Sequence, residues 1–240
     1  MCLIAGSGFA QSRVEITASY WPVHTNGIIQ ASGTPIDLRS DLGVEQNVAT
    51  FAGKLDLRLG RRQWIRVEGV PFRLTGQQDL SRTITYRGRV FSFADRVASD
   101  ASLDYVYAGY QFDVISTPRV RFGLEAGGAY LNATGAIASQ VTNLTASKSQ
   151  KVGLPLAGAS FRAVPIHGLV DVEIGGELKG MAVGRYGSFF QTGASVGVGR
   201  GHVFVEGGYR LIKADIHDAA GANTVAPTFR GPVISLYFRL

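Results

Sequence analysis

Apolar and polar residues alternate with a period of two along most of this 240-residue chain. Val14, Ile16, Ala18 and Tyr20 interleave with Glu15, Thr17 and Ser19, and Leu55, Leu57 and Leu59 interleave with Lys54, Asp56 and Arg58. Ile65 and Val67 oppose Arg66 and Glu68; Val120, Phe122 and Leu124 oppose Arg121 and Glu125. Val170, Val172 and Ile174 oppose Asp171 and Glu173, with Glu177 and Lys179 continuing the polar row. Val203, Val205 and Tyr209 oppose Glu206 and Arg210, and the closing "GPVISLYFRL" sets Ile234, Leu236, Phe238 and Leu240 against Val233, Ser235, Tyr237 and Arg239. Side chains of a strand point alternately to its two faces, so each run predicts a strand with unlike sides. Weaker runs near 100–113, 151–163 and 186–198 bring the expectation to about ten strands. No window has convincing helical periodicity. The parity slips around Gly69-Val70-Pro71, where a bulge is predicted.

The connections have their own pattern. Gly60-Arg61-Arg62, Ser116-Thr117-Pro118, Pro165-Ile166-His167 and Gly199-Arg200-Gly201 read as short turns. Longer polar loops are predicted near 23–45, 75–99, 137–150 and 215–227, with a brief one at 182–185. Short and long connections therefore alternate, as in an up-and-down barrel with both termini on the short-turn side. Backbone groups in lipid must all be paired, so a spanning sheet closes on itself, and the terminal strand is expected to zip to the first.

Composition adds little that disagrees. No stretch approaches the ~20 apolar residues of a spanning helix. The net charge of +6 comes from scattered basic residues, with no cluster suggesting nucleic acid. The opening "MCLIAGSGFAQS" reads as the tail of a secretory signal with a small-x-small cleavage pattern at Gly8-Phe9-Ala10. Residues 1–12 are thus expected to be a truncated signal remnant and 13–240 the barrel. Cleavage would remove Cys2, the single cysteine, and exclude disulfide and thiolate-metal frameworks.

On "KLDLRLG", "GRYGSFFQTGASVGVG", "VFVEGGYRL" and the terminal "ISLYFRL", the chain resembles the small bacterial outer-membrane β-barrels, the broad group around outer-membrane protein A. The resemblance implies an all-β fold, a closed antiparallel up-and-down transmembrane barrel located in the bacterial outer membrane. It also implies outer-membrane lipid, lipopolysaccharide and the barrel-assembly machinery as partners. The competing fold is a soluble lipocalin-type barrel, with its apolar face inward. Opposite charges on successive polar faces, glycines within strands and aromatics towards strand ends favour the membrane barrel.

Candidate chemistry is sparse. With the polar faces inward, Lys54, Asp56, Arg58, Arg66, Glu68, Arg121, Glu125, Asp171, Glu173, Glu177, Lys179, Glu206 and Arg210 would form a lumenal charge network, with Glu15 and Arg239 at its end. Their signs nearly balance, whereas an ion-selective pore favours one sign. A closed, salt-bridged, monomeric and non-enzymatic barrel with a structural or surface-interaction role is expected, without cofactor or metal. The alternatives are a narrow passive channel and an outer-membrane hydrolase of omptin type. The hydrolase would draw on His24 and His217, which barrel closure is expected to bring together beside Asp215 and Asp218. Arg82, Arg87, Arg89 and Arg96 are candidates for pairing with lipopolysaccharide phosphates from an outer hairpin.

Overall fold

The computed structural model describes residues 13–31, 33–142, 144–182, 187–217 and 223–240. The expected signal remnant 1–12, Asp218 and most of the predicted 182–185 loop lie outside them. Ten long strands form the wall: β1 (Val14–Ala31), β3 (Asn47–Arg58), β4 (Gln63–Asp79), β7 (Arg96–Ser116), β8 (Val120–Ser139), β9 (Thr145–Ile166), β10 (Asp171–Ala182), β11 (Gly187–Arg200), β12 (Val203–His217) and β13 (Asn223–Arg239). Three short elements, β2 (Ile36–Asp37), β5 (Ile84–Tyr86) and β6 (Arg89–Phe91), belong to two outer connections. Each long strand pairs antiparallel with its neighbours in sequence, and β13 returns to β1. The seam runs from Glu15 opposite Arg239 to Ala31 opposite Asn223. It is sealed at its base by the Arg13 amide donating to the Leu240 carbonyl at 2.7 Å. Every sheet edge is thereby consumed within the spanning region, as hydrocarbon requires.

The predicted turns stand: β3–β4, β7–β8, β9–β10 and β11–β12 are joined by short connections at the end that carries both termini. The predicted long loops are largely strand. A tilted spanning strand needs ~9–11 residues, yet β8 has 20 and β9 has 22. The barrel wall therefore continues well above the bilayer, and polar sequence that resembled loop is the outer face of this extension.

No bulge interrupts the pairing of β4 with β7 at Gly69–Pro71, although the pairing of β4 with β3 ends there, at Gly53↔Gly69. Strand β4 pairs with β7 without interruption from Gln63↔Phe112 to Asp79↔Arg96. What changes at that point is polarity. Below it Ile65 and Val67 face out while Arg66 and Glu68 are buried within; above it Val70, Phe72 and Leu74 are buried within and Arg73 faces out. The geometric parity is constant and the solvent outside has changed from lipid to water. Register shifts do occur, between Asp113 and Ile115 on β7 and between Val172 and Ile174 on β10.

Outside the lower half lies an apolar belt that includes Leu124 at 53% exposure, Val196 at 56%, Val205 at 52% and Ile234 at 59%. Water would not tolerate so continuous an apolar surface on a soluble barrel, so the lipocalin alternative fails. Tyr20, Tyr130, Phe190 and Tyr209 border the belt near the level where polarity inverts, the position of an interfacial girdle.

Arginine placed at Val205 should destabilise the barrel by about 2–4 kcal/mol if its site is near mid-bilayer, whereas Val205→Leu should be close to neutral. Refolding into lipid vesicles followed by denaturant titration reads both values.

Candidate functional site: the barrel interior

The interior is built in three layers. Nearest the termini, the Arg121 guanidinium donates to both oxygens of Glu15, at 2.9 and 2.8 Å, and lies 4.5 Å over the Trp64 ring. Trp64 Nε1 donates to Asp113 at 2.8 Å, and Gln111 joins Asp113 at 2.6 Å to Ser160 at 2.9 Å. Across the lumen Arg162 bridges Glu173 and Glu206, the latter at 2.8 Å, while Arg239 holds the second Glu173 oxygen at 2.5 Å.

The middle layer centres on Glu68, which is 2% exposed. It pairs with Lys179 at 2.8 Å and with Arg210, and accepts from Gln191 at 3.2 Å. Arg66 spans Asp56 at 2.7 Å and Glu125 at 3.1 Å, and Lys54 meets Glu177 at 3.2 Å. Small residues of neighbouring strands, such as Thr17, Gly193, Ser195 and Ser235, leave a cavity of about 100 Å³ beside these pairs.

Most of the expected charge network is therefore one interlocked assembly. Two members are corrected. Arg58 donates to the Gly60 and Arg61 carbonyls, so it fastens a turn, and its guanidinium lies 5.6 Å from the Trp64 ring centroid. Asp171 pairs with His167 at 2.6 Å across the next turn. Both lie at strand ends, where the nearest polar groups are turn groups and not lumenal charges. Arg162 was missed because its segment alternates weakly, and Tyr105, Tyr107 and Gln191 because uncharged residues give no ion-pair signal.

The third layer is apolar. Trp21, Phe72, Tyr105, Phe189, Ile212 and Phe229 are buried in one cluster, with Phe72 stacked on Phe229 at 3.9 Å between ring centroids. Cations of the middle layer meet it face-on: Lys179 Nζ lies 4.3 Å from the Tyr107 centroid and Arg210 lies 5.1 Å from that of Trp21.

Two outer connections cover this layer. The segment containing β2 inserts Ile36, Leu38, Leu42 and Val44, all buried, and the β5–β6 hairpin inserts Ile84, Tyr86 and Phe91. Asp37 Oδ1 accepts from the Arg39 and Ser40 amides, which closes a tight turn. Gly43 at φ +61° reverses the chain without a side-chain clash, and Gly76 lets it approach: a Cβ there would lie 2.4 Å from the Leu42 carbonyl oxygen. The cap is tied to the hairpin base by Arg82, which donates to Asp41 at 2.9 and 2.6 Å and to the Pro35 carbonyl at 2.7 Å. The "IDLRSDLG" cap was not predicted; its regularly spaced apolar residues within a polar stretch were the available signal.

The four arginine candidates thus separate. Arg82 serves the cap, Arg87 donates to the Ser147 carbonyl at 2.6 Å, and Arg89 and Arg96 are exposed. The expected meeting of His24 and His217 does not occur. His24 stands on β1 opposite Arg230 and bonds Asn47 at 3.2 Å, whereas His217 stands opposite Thr224, which faces Gln30. Six residues of strand separate the two levels, roughly 20 Å. His217 lies 3.2 Å from Asp215, and both occupy the outward row of β12, away from buried Ile212, Ala214 and Ile216.

A closed ten-stranded antiparallel barrel with an apolar belt and a polar interior is an integral outer-membrane protein. No protein-family model matches the chain, and no curated protein matches it. Among solved structures, it is similar to the outer membrane protease OmpT from Escherichia coli, at 11% identity over 98% of each chain with a TM-score of 0.61. Lesser likenesses are the transport unit of the Escherichia coli autotransporter AIDA-I (8% identity, 100% and 92% of the two chains, TM-score 0.48) and the translocator domain of NalP from Neisseria meningitidis (10%, 95% and 89%, 0.48). At these identities the likeness is one of fold.

Removing the Glu173 carboxylate leaves Arg162 and Arg239 without their shared partner in a buried site. Glu173→Ala should cost about 3–5 kcal/mol in a denaturant titration of the refolded barrel. The hydrogen bond from Arg82, together with that from the Asp37 amide, holds the Asp41 carboxyl below its ordinary value of 3.8. That contribution is complete above the ordinary value and is lost as pH falls through the lower folded value. The protection of residues 36–44 against hydrogen exchange, taken relative to the intrinsic exchange rate at each pH, should therefore fall on acidification below a pH of about 4, before that of the wall strands. In Asp41→Asn this acid-dependent loss of protection should be absent.

Proposed function

We propose that this chain is a non-enzymatic, monomeric outer-membrane barrel with a structural or surface-interaction role, its lumen shut to ions. The observation that carries this reading is the apolar layer stacked on the charged one. An ion leaving the Glu68 cluster outward would have to cross Trp21, Phe72, Tyr105 and Phe229, each no more than 1% exposed. A packed aromatic layer of this kind excludes water and the ions that travel with it. The balanced ion pairs beneath offer no ring of one sign for selectivity.

A hydrolase reading has less support despite the fold shared with OmpT. Proton transfer requires acid and base groups that converge on one substrate position. The His217–Asp215 pair points away from the mouth, and His24 is remote from it. For surface interaction, Arg89 and Arg96 on the exposed side of the hairpin and at its base are the cations best placed for lipopolysaccharide phosphates.

Planar-bilayer recording of the purified barrel should show no steady conductance. Reproducible single-channel steps would overturn the closed reading in favour of a passive channel.

A further inference from the structure

Charge is distributed unequally between the two ends of the barrel. Each short turn at the end that carries the termini holds a cation or a histidine: Arg61 and Arg62 between β3 and β4, Arg119 between β7 and β8, His167 between β9 and β10, and Arg200 and His202 where β11 turns into β12. Arg13 completes the circle at the seam of β1 and β13. All seven residues are exposed. The acids of this end are buried and already engaged: Glu15 holds Arg121, Asp113 accepts from Trp64, and Asp171 pairs with His167. Among the described residues no exposed acidic side chain answers the five arginines. At the opposite end Glu45, Asp79 and Asp100 are exposed. A collar of one sign raises the local potential and draws anions from outside the chain.

The apolar belt runs down to this collar. Leu59, Ile115, Val120, Ile166 and Val203 are exposed at the last residues of their strands or just beyond them. Leu169, at 83% exposure, and Val170 share the β9–β10 turn with His167. Arg200 continues the outward row of β11 directly below Val196 and Val198. The arginines therefore stand where hydrocarbon ends, at the depth of lipid phosphates. Arginine suits that depth, because its stem lies along apolar surface while its head reaches the polar layer. Its planar fork of donors matches a phosphate. A soluble anion would use the guanidinium groups and leave Ile166, Leu169 and Val170 in water; a lipid accommodates both sets.

We propose that the arginine collar binds the phosphate groups of anionic phospholipids in the leaflet at the terminal end of the barrel. The headgroups supply the counter-charge that the chain lacks there, and their acyl chains cover the exposed residues beside each turn. The collar builds on the membrane-spanning fold and is independent of whether the lumen conducts, which bilayer recording tests separately.

The test uses the full chain folded in phosphatidylcholine vesicles with a trace of photoactivatable lipid, its reactive group beside the headgroup of either phosphatidylglycerol or phosphatidylcholine. Crosslinks are mapped at residue level by mass spectrometry. At Val120, Leu169 and Val203 the phosphatidylglycerol probe should label about fivefold more than the phosphatidylcholine probe, the ratio that corresponds to roughly 1 kcal/mol per arginine contact. Equal labelling would overturn the proposal. Arg119→Gln combined with Arg200→Gln should bring the ratio at Val120 and Val203 close to one, and an unchanged ratio would count against the collar. Lysine at both positions keeps the charge and should retain the preference. If the glutamine variant lacks the gel shift of a folded barrel, added salt takes its place: screening should lower the wild-type ratio, and a ratio indifferent to salt would refute an electrostatic site. Lys213→Gln, at the opposite end, should leave the ratio at the terminal rim unchanged; a fall there would misplace the site. Inorganic phosphate at the concentration of the probe should not compete, since competition would mean a free-anion site. Cosedimentation with isolated peptidoglycan, joined to equal labelling by the two lipids, would assign the collar to the cell wall and not to lipid.

Discussion

Hydrocarbon offers no hydrogen-bond partner, and the whole architecture follows from that deficit. A backbone that crosses it as strands must satisfy every amide and carbonyl from neighbouring strands, so the sheet closes and β1 meets β13. Closure fixes the alternation of faces, and alternation turns a row of lipid-facing residues into an obligatory row of lumenal ones. Because lipid takes the apolar set, the lumen receives Glu15, Arg66, Glu68, Arg121, Glu173 and Arg210. Those charges are tolerable only in company. Burial of a charge costs several kcal/mol unless an opposite charge and hydrogen bonds replace its water. The bidentate Glu15–Arg121 pair, the Arg162–Glu173–Arg239 bridge and the Lys179–Glu68–Arg210 bridge meet that requirement in a confined space. Cavity-lining serines and glycines on adjoining strands leave room for the long basic side chains.

How much of this was legible depended on whether local alternation carried it. The spanning halves of the strands, the four turns, the closing strand and most of the buried charges follow from period two and turn chemistry, both local properties. Val70, Phe72 and Leu74 were harder, because alternation there is intact while its meaning is reversed. A change of external solvent resembles a bulge when only the sequence is read. The upper strands were misread for the same reason: outward-facing polar residues such as Gln77, Ser147 and Asp215 resemble loop when their inward neighbours are of mixed size. Sequence also could not place His217 relative to His24. Both stand on strands that closure brings together, yet the register separates them by six residues.

The cap was illegible for a different reason. Ile36, Leu38, Leu42 and Val44 bury themselves through contacts with strands far along the chain, including β4 at Gly76 and β7 at Ser99, whose hydroxyl donates to the Leu42 carbonyl at 3.1 Å. The apolar spacing of the segment marks residues that want burial, but it does not say which distant strands bury them. The Arg82–Asp41 bridge joins positions 41 residues apart. An arginine in a polar stretch is most simply read as solvated, and only the fold reveals a partner for it.

The two halves of the interior are consequently solutions to two solvents, written on the same strands. Below the girdle, lipid outside makes the inside polar, and ion pairs fill it; above, water outside makes the inside apolar, and side-chain packing fills it as in a soluble barrel. The halves must meet without stranding a charge against hydrocarbon side chains. They meet at side chains with both characters. Tyr105 lies in the apolar cluster and donates its hydroxyl to Gln191 at 2.8 Å, Tyr107 offers its ring face to Lys179, and Trp21 offers its own to Arg210. Aromatic rings are suited to this boundary because their faces attract cations while their edges pack against aliphatic groups. The boundary inside lies near the girdle outside, so one band of aromatic residues marks the water–lipid transition on both surfaces of the wall.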